Sequence, residues 1–158
     1  MNPLLRFTAI IVFWYRESSI NWLSGRNRRG KLTAPTVDSF IADNFRVTAS
    51  LTLGETVSLK LVLTAKGNKS YNLTYADGRA LDVDGKVYTA VFNNINQANF
   101  DDVKVVCCGS DKISISVNNY IKSVLDRYAD STENRDYCLA MCALYDVGEQ
   151  AYKYVHYL

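Results

Sequence analysis

The sequence is poor in histidine and has no clustered glycines, and both shortages narrow the chemistry that it can support. Its one histidine, His156, is the only imidazole that can activate a serine or a cysteine as a nucleophile. To do so it would have to fold back onto Cys107, Cys108 or a serine, and a partly exposed histidine at a helix end explains it more simply. The eight glycines are scattered singly, which excludes a glycine-rich phosphate-binding loop.

Long apolar runs are also missing. The run at residues 4–15, LLRFTAIIVFWY, has 12 residues and contains Arg6, whereas a transmembrane helix needs about 20 apolar residues. It makes a poor signal peptide, because basic residues follow it instead of preceding it and no small-residue cleavage site comes next. We therefore predict no transmembrane span, and we interpret residues 1–34 as a basic and apolar segment outside the fold, either disordered or helical.

Positive charge is concentrated in that first segment. Residues 1–34 carry a net charge of +5, so the net +2 of the chain leaves −3 for the remainder. Nucleic-acid binding requires Lys and Arg clustered on the folded surface, and the only such cluster, RNRRGK at residues 26–31, lies outside it. We interpret this cluster as a solvated basic arm and expect no nucleic-acid partner.

The sequence has four cysteines, and their spacing is unusual. Cys107 and Cys108 are adjacent, and Cys138 and Cys142 lie four residues apart. Neither spacing matches the paired, short-spaced ligands of a zinc site, so we predict no metal and no cofactor. Free cysteine behaves as a small hydrophobic residue, which favours buried thiols. The alternative is a disulfide from Cys107 or Cys108 to Cys138 or Cys142 in an oxidising compartment.

From residue 46 onward the sequence has the pattern of short β-strands. Residues that favour strands alternate with polar ones, and Asp77-Gly78 and Asp84-Gly85 are typical of hairpin turns. Seven strands are predicted, at residues 46–54, 56–64, 71–75, 80–83, 86–92, 103–108 and 112–117. Residues 94–100, NINQANF, are predicted to form a single helical turn between the fifth strand and the sixth.

Seven short strands at regular spacing are typical of an immunoglobulin-like β-sandwich. Both tryptophans, Trp14 and Trp22, precede the strands, which excludes the cysteine-and-tryptophan core of antibody domains. We predict a mainly β (α+β) chain, with the sandwich at residues 35–117 and a two-helix hairpin at residues 118–158. The hairpin is expected to pack on the sandwich as one compact unit.

The two predicted helices carry apolar residues at helical spacing. Ser116 or Asn118 is a candidate cap for the first. Glycine costs about 1 kcal/mol relative to alanine inside a helix, so Gly148 in the second indicates that another backbone approaches there, and we predict that this backbone is the first helix. The residues predicted to pack are Leu144, Gly148, Ala151 and Val155.

A resemblance to a known module covers roughly residues 47–157. It is carried by SLTLGETVSLKLVL (50–63), DGKVYTAVFNNINQANFDDVKV (84–105), SISVNNYIKSVL (114–125) and ALYDVGEQAYKYV (143–155). These runs resemble the β-sandwich and helical-hairpin module of unknown function near the C-terminus of large secreted or cell-surface proteins of anaerobic gut bacteria. The resemblance implies an extracellular or cell-surface location and a non-catalytic accessory role, and it supplies no catalytic residues.

Carboxylates and tyrosines supply the alternative functions. Asp82 with Asp84, or Asp101 with Asp102, would form the acid and base of a hydrolase, although both pairs occupy turns in which aspartate is expected for backbone reasons. A row of outward tyrosines would instead make a carbohydrate-binding platform, and inward ones would be ordinary core. The tyrosines in question are Tyr71, Tyr75 and Tyr88.

Taken together, the sequence predicts a binding or structural spacer module of a bacterial surface or secreted protein, and not an enzyme. Its expected partners are neighbouring domains or other surface proteins, with glycans as a further candidate. The direction in which the three tyrosines point discriminates between a glycan-binding role and a structural one.

Overall fold

The computed structural model describes residues 32–128 and 132–157. The predictions for residues 1–31, 129–131 and 158 lie outside these residues. Within them the chain forms eight strands, three helices and one 3-10 turn. The strands are β1 (Thr36–Val37), β2 (Phe45–Thr52), β3 (Val57–Ala65), β4 (Leu73–Tyr75), β5 (Asp82–Asp84), β6 (Val87–Ile95), β7 (Lys104–Cys108) and β8 (Asp111–Ile115). The helices are α1 (Ser39–Asn44), α2 (Val117–Tyr128) and α3 (Arg135–Tyr157), and the 3-10 turn is Gln97–Asn99.

The strands form two antiparallel four-stranded sheets. One has the order β1-β8-β7-β4 and the other the order β2-β3-β6-β5. If the seven strands from β2 to β8 are lettered A to G, the sheets read A-B-E-D and G-F-C, which is the arrangement of a constant-type immunoglobulin sandwich. The short β1 adds an eighth strand beside β8. The predicted fold class, a mainly β sandwich followed by two helices, is confirmed.

Each of the seven predicted strands has a counterpart within a few residues, and the predicted helical turn is the 3-10 turn. Two hairpin turns place glycine in the left-handed region, at Gly85 (φ 61°) and Gly109 (φ 62°), where a side chain would be strained. Strand β1 and helix α1 could not be predicted, because two and six residues are too few to display a period.

The core sits between the sheets and continues under the helices. In β3 the alternate residues Leu59, Leu61 and Leu63 are at most 1% exposed, while Lys60 points to solvent. They belong to the same cluster of buried side chains as Leu139 and Leu144 of α3. The sandwich and the helices therefore share one apolar core.

Helix α2 begins immediately after β8, and its start is fixed by a reciprocal pair of hydrogen bonds. The hydroxyl of Ser116 accepts from the Asn119 N–H at 3.0 Å, and the Asn119 side-chain oxygen accepts from the Ser116 N–H at 2.8 Å. This is a capping box with asparagine in the place of the usual glutamate. Of the two candidate caps, Ser116 occupies the position.

Helix α3 packs against α2 and against the 3-10 turn. The close approach predicted at Gly148 is present, but its partner is the side chain of Phe100 and not the first helix. A Cβ added at Gly148 would lie 2.5 Å from Cδ2 of Phe100. Phe100 ends the 3-10 turn, so the glycine fits α3 onto the sandwich instead of joining the two helices.

The folded part begins earlier than the predicted boundary at residue 34. Leu32 is buried in the core, and the backbone and side-chain oxygens of Thr33 accept hydrogen bonds from the Asn119 amide at 2.8 and 3.0 Å. The residues before β1 therefore help to hold the start of α2.

Candidate functional site

The three tyrosines predicted as a ligand platform lie at the β4 side of the sandwich and tie its two sheets together. Tyr88 on β6 is 3% exposed, and its hydroxyl accepts a hydrogen bond from the Tyr71 N–H at 2.9 Å. The ring of Tyr71 lies 4.7 Å from that of Phe45, and its hydroxyl donates to the Asn44 side chain at 3.2 Å. Tyr71 and Tyr88 are therefore inter-sheet packing residues.

Tyr75 makes a similar hydrogen bond between the sheets, but its hydroxyl comes from β4 and reaches the backbone of β6. It lies on β4, and its hydroxyl accepts from the Val91 N–H of β6 at 3.0 Å. Its ring packs edge-on against Phe92 at 5.5 Å, and the Arg79 guanidinium lies 4.6 Å from its centroid. The three tyrosines do not form an exposed row, since Tyr88 is buried and the others are half-buried.

Tyr88→Phe is expected to lower the free energy of unfolding by about 1–3 kcal/mol, because it leaves the Tyr71 N–H without its acceptor in a partly buried position. Chemical denaturation followed by far-UV circular dichroism measures the change. Tyr154→Phe is the matched control, because Tyr154 is 71% exposed and its loss of a hydroxyl should leave stability unchanged. An equal effect of the two substitutions would contradict the inter-sheet role of Tyr88.

The carboxylates predicted as acid and base pairs are exposed. Asp82 and Asp84 lie on β5, the edge strand of its sheet. Asp101 accepts a hydrogen bond at 2.7 Å from the Asn118 side-chain amide, and the Asp102 N–H donates to the Asn99 carbonyl at 3.0 Å. Asp101 and Asp102 thus shape the turn between the 3-10 element and β7.

The four cysteines are free thiols in the structure, so no bridge joins β7 to α3. Cys138 and Cys142 are fully buried in α3, and Cys107 and Cys108 are half-buried. Burial raises the pKa of the Cys138 thiol, and burial followed by the nearby Asp111 carboxylate raises that of Cys108. A raised pKa keeps the thiol protonated, and the protonated form is a poor nucleophile.

The residues predicted to pack along α3 are buried as far as Gly148 and become exposed toward its C-terminal end. Leu144 and Gly148 are buried and Ala151 is half-buried, but Val155 is 63% exposed. The prediction for Val155 is wrong, because α3 has 23 residues and α2 only 12. At 1.5 Å per residue α3 is about 17 Å longer, and its last turns extend beyond the described residues that would cover them.

A cleft opens on the opposite side of the sandwich, where β2 is the edge strand of its sheet. Of the inward side chains of β2, Phe45 is buried, but Val47, Ala49 and Leu51 are only half-buried, in contrast to the fully buried leucines of β3. No described strand pairs with the outer edge of β2, and helix α2 lies across this side instead. The space between the sheets is therefore reachable from solvent along β2.

The cleft has a volume of about 480 Å³, within the range of about 300–1,000 Å³ for small-molecule sites. Its floor is aliphatic and comes from both sheets, with Leu61 from one and Ile113 and Ile115 from the other. The remaining lining residues are Pro35, Val37, Val47, Thr48, Ala49, Tyr120, Ser123, Val124, Arg127, Tyr128 and Tyr137.

Polar groups line the helical side of the cleft. The hydroxyls of Tyr120 and Tyr137 are hydrogen-bonded to each other. Burial, reinforced by this hydrogen bond, raises the pKa of Tyr137, so its hydroxyl stays neutral and keeps its proton. Arg127 is exposed, and its guanidinium lies 5.3 Å from the centroid of the Tyr128 ring. Aliphatic surface and hydrogen-bond donors thus meet in one cavity.

The sequence did not single out this cavity. Tyr120, Val124 and Tyr128 are apolar positions of the first helix, and their spacing predicts only that they are buried. Arg127 is a basic residue in the last turn of a helix, which is common because it complements the helix dipole. Only the strand order, which leaves β2 at an edge, places these residues around a cleft.

Comparison with protein-family models, curated proteins and solved structures finds no match. None of the described helices is both long and apolar enough to cross a membrane. Within residues 32–128 and 132–157, no three His, Cys, Asp or Glu side chains lie close enough together to hold a metal ion.

Proposed function

We propose that this protein is a non-catalytic binding module whose ligand site is the cleft between the edge of β2 and helix α2. The observation that carries the proposal is the half-burial of Val47 and Ala49 on the inner face of β2. Inner-face residues of a closed sandwich are buried, whereas these retain access to solvent over an aliphatic floor. Cavities of this size, with an apolar lining and a few polar groups, are the usual form of a ligand site.

The setting that we propose is a secreted or cell-surface protein of a bacterium, in which the module acts beside other domains. This part of the proposal is based on the resemblance of residues 47–157 to such modules. A rigid sandwich with its cleft on one side suits this accessory role, since the fold supplies a stable frame and the cavity supplies the contact.

The experiment is a titration of the full chain with N-phenyl-1-naphthylamine, a neutral dye that fluoresces in apolar surroundings. We expect saturable binding of one dye per chain. Ala49→Trp fills the cleft and should weaken binding at least tenfold. Ala76→Trp is the matched control, because Ala76 lies in an exposed turn before β5 and outside the cleft.

Thermal unfolding of each variant shows whether the tryptophan has disturbed the fold. If the folded full chain binds no dye, or if Ala49→Trp binds it as tightly as Ala76→Trp, the cleft is not a ligand site. The spacer role would then be the better description.

A further inference from the structure

The two sides of the cleft differ in chemistry and in depth. The floor residues Leu61, Ile113 and Ile115 are nearly inaccessible to solvent, whereas the lining residues Val37, Val47 and Ala49 keep apolar surface that a ligand can contact. The opposite side, formed by α2 and the first turn of α3, includes the hydrogen-bonded Tyr120 and Tyr137 and the exposed Arg127. A molecule that fills the cleft would therefore meet aliphatic surface inside and polar groups at the rim.

The polar rim offers hydrogen-bond donors and one full positive charge. A guanidinium has five donors and no acceptor, and the contact that the structure gives Arg127 is the face of the Tyr128 ring. No ion pair joins Arg127 to a carboxylate within the described residues. Tyr120 and Tyr137 share one hydrogen bond between two hydroxyls, so one O–H of the pair remains to donate.

These features complement an acceptor that is negatively charged and planar. A carboxylate accepts two parallel hydrogen bonds from a guanidinium, which gives the pairing both energy and geometry. A neutral alcohol or a cationic head would not use the charge of Arg127. The apolar surface that a ligand could still remove from water belongs to Val37, Val47 and Ala49, and a hydrocarbon chain is stabilised in proportion to the apolar area that it covers.

From this arrangement we infer that the cleft binds a single-chain carboxylate amphiphile, with its chain against Val37, Val47 and Ala49 and its head at Arg127. This inference rests on the proposed function and adds the chemical class of the ligand. Arg127 is the residue that recognises the head group, whereas the apolar side chains of the cleft would contact any apolar ligand.

The test compares decanoate with decanol, which share a chain and differ in the charge of the head. Each displaces the neutral dye from the full chain, at concentrations below those at which decanoate forms micelles. Decanoate is expected to bind at least tenfold more tightly than decanol. Arg127→Gln should weaken decanoate about tenfold and leave decanol unchanged, since a charge-assisted hydrogen bond is worth at least about one factor of ten.

Arg46→Gln is the matched control, because Arg46 lies on β2 beside the cleft but its side chain is on the outer, solvent-exposed face. Arg46→Gln removes one positive charge, as Arg127→Gln does, and should leave the affinities for decanoate and decanol unchanged. If decanol binds as tightly as decanoate, or if Arg127→Gln and Arg46→Gln act alike, the inference is overturned while the cleft remains a ligand site. If neither ligand nor dye binds, the proposed function fails with it.

One competing occupant belongs to the chain itself, namely the apolar run at residues 4–15. The full chain carrying Ile11→Asp and Phe13→Asp separates the two cases. If this variant binds decanoate and the unmodified chain does not, the run fills the cleft and the inference is overturned. Equal binding by the two proteins supports it.

Discussion

Phe100→Ala is expected to lower the free energy of unfolding by about 3–5 kcal/mol, the usual cost of truncating a buried aromatic side chain. Phe100 is 2% exposed, and its ring fills the space that Gly148 leaves open on α3. Loss of the ring would leave a cavity between α3 and the 3-10 turn. Chemical denaturation monitored by circular dichroism measures the change.

The contact between Phe100 and Gly148 also predicts that the effect of Gly148→Ala on stability reverses when Phe100 is removed. In the wild-type chain, Gly148→Ala should destabilise, because overpacking costs about 1–3 kcal/mol and the gain in helix propensity returns only about 1 kcal/mol. In the Phe100→Ala background the ring atom that would lie 2.5 Å from the new Cβ is gone. Gly148→Ala should then stabilise the protein. A double-mutant cycle measures this coupling.

Gly67→Ala is a control for the glycine substitution, since a Cβ at Gly67 meets nothing within 4 Å. Its effect should be the same with or without Phe100. If Gly148→Ala has the same effect in both backgrounds, Phe100 is not the group that requires glycine at this position.

Leu144→Ala is expected to lower the free energy of unfolding by about 2–5 kcal/mol, because Leu144 is fully buried in the core shared by α3 and the sandwich. Val155→Ala, 11 residues further along the same helix, removes a side chain that is 63% exposed. It should change stability by less than about 0.5 kcal/mol. Together the two variants divide α3 into an anchored half and an exposed half.

The same denaturation series tests this division. The difference between the two effects is the informative quantity, since helix propensities of ordinary residues differ by no more than about 0.7 kcal/mol. Comparable losses for Leu144→Ala and Val155→Ala would mean that the last turns of α3 are covered in solution, and the division of the helix would have to be abandoned.

The strands could be predicted because their information is local. In β3 the alternation of leucine with polar residues reflects directly which face is buried, and the glycines after Asp84 and Cys108 occur where the backbone requires a positive φ. Such patterns need no knowledge of the rest of the fold. The assignment of seven strands and two helices followed from them.

The partners of those elements could not be predicted in the same way. Gly148 indicated a close approach, but the approaching group, Phe100, lies 48 positions earlier in the sequence. Val155 continued the apolar stripe of α3 beyond the length of its partner helix. The cleft depends on which strand is left at the edge of a sheet, and that follows from the order in which all the strands pair.

The hydroxyl of Tyr75 has a consequence for how the protein behaves in concentrated solution. Strand β5 pairs with β6 only as far as Thr89, so the Val91 N–H points past the end of its neighbour and is taken by Tyr75. An unpaired N–H along a sheet edge is a place where a strand of another molecule can attach and begin aggregation. The Tyr75 hydroxyl, supplied from the opposite sheet, occupies this N–H, which is therefore not available to a strand of another molecule.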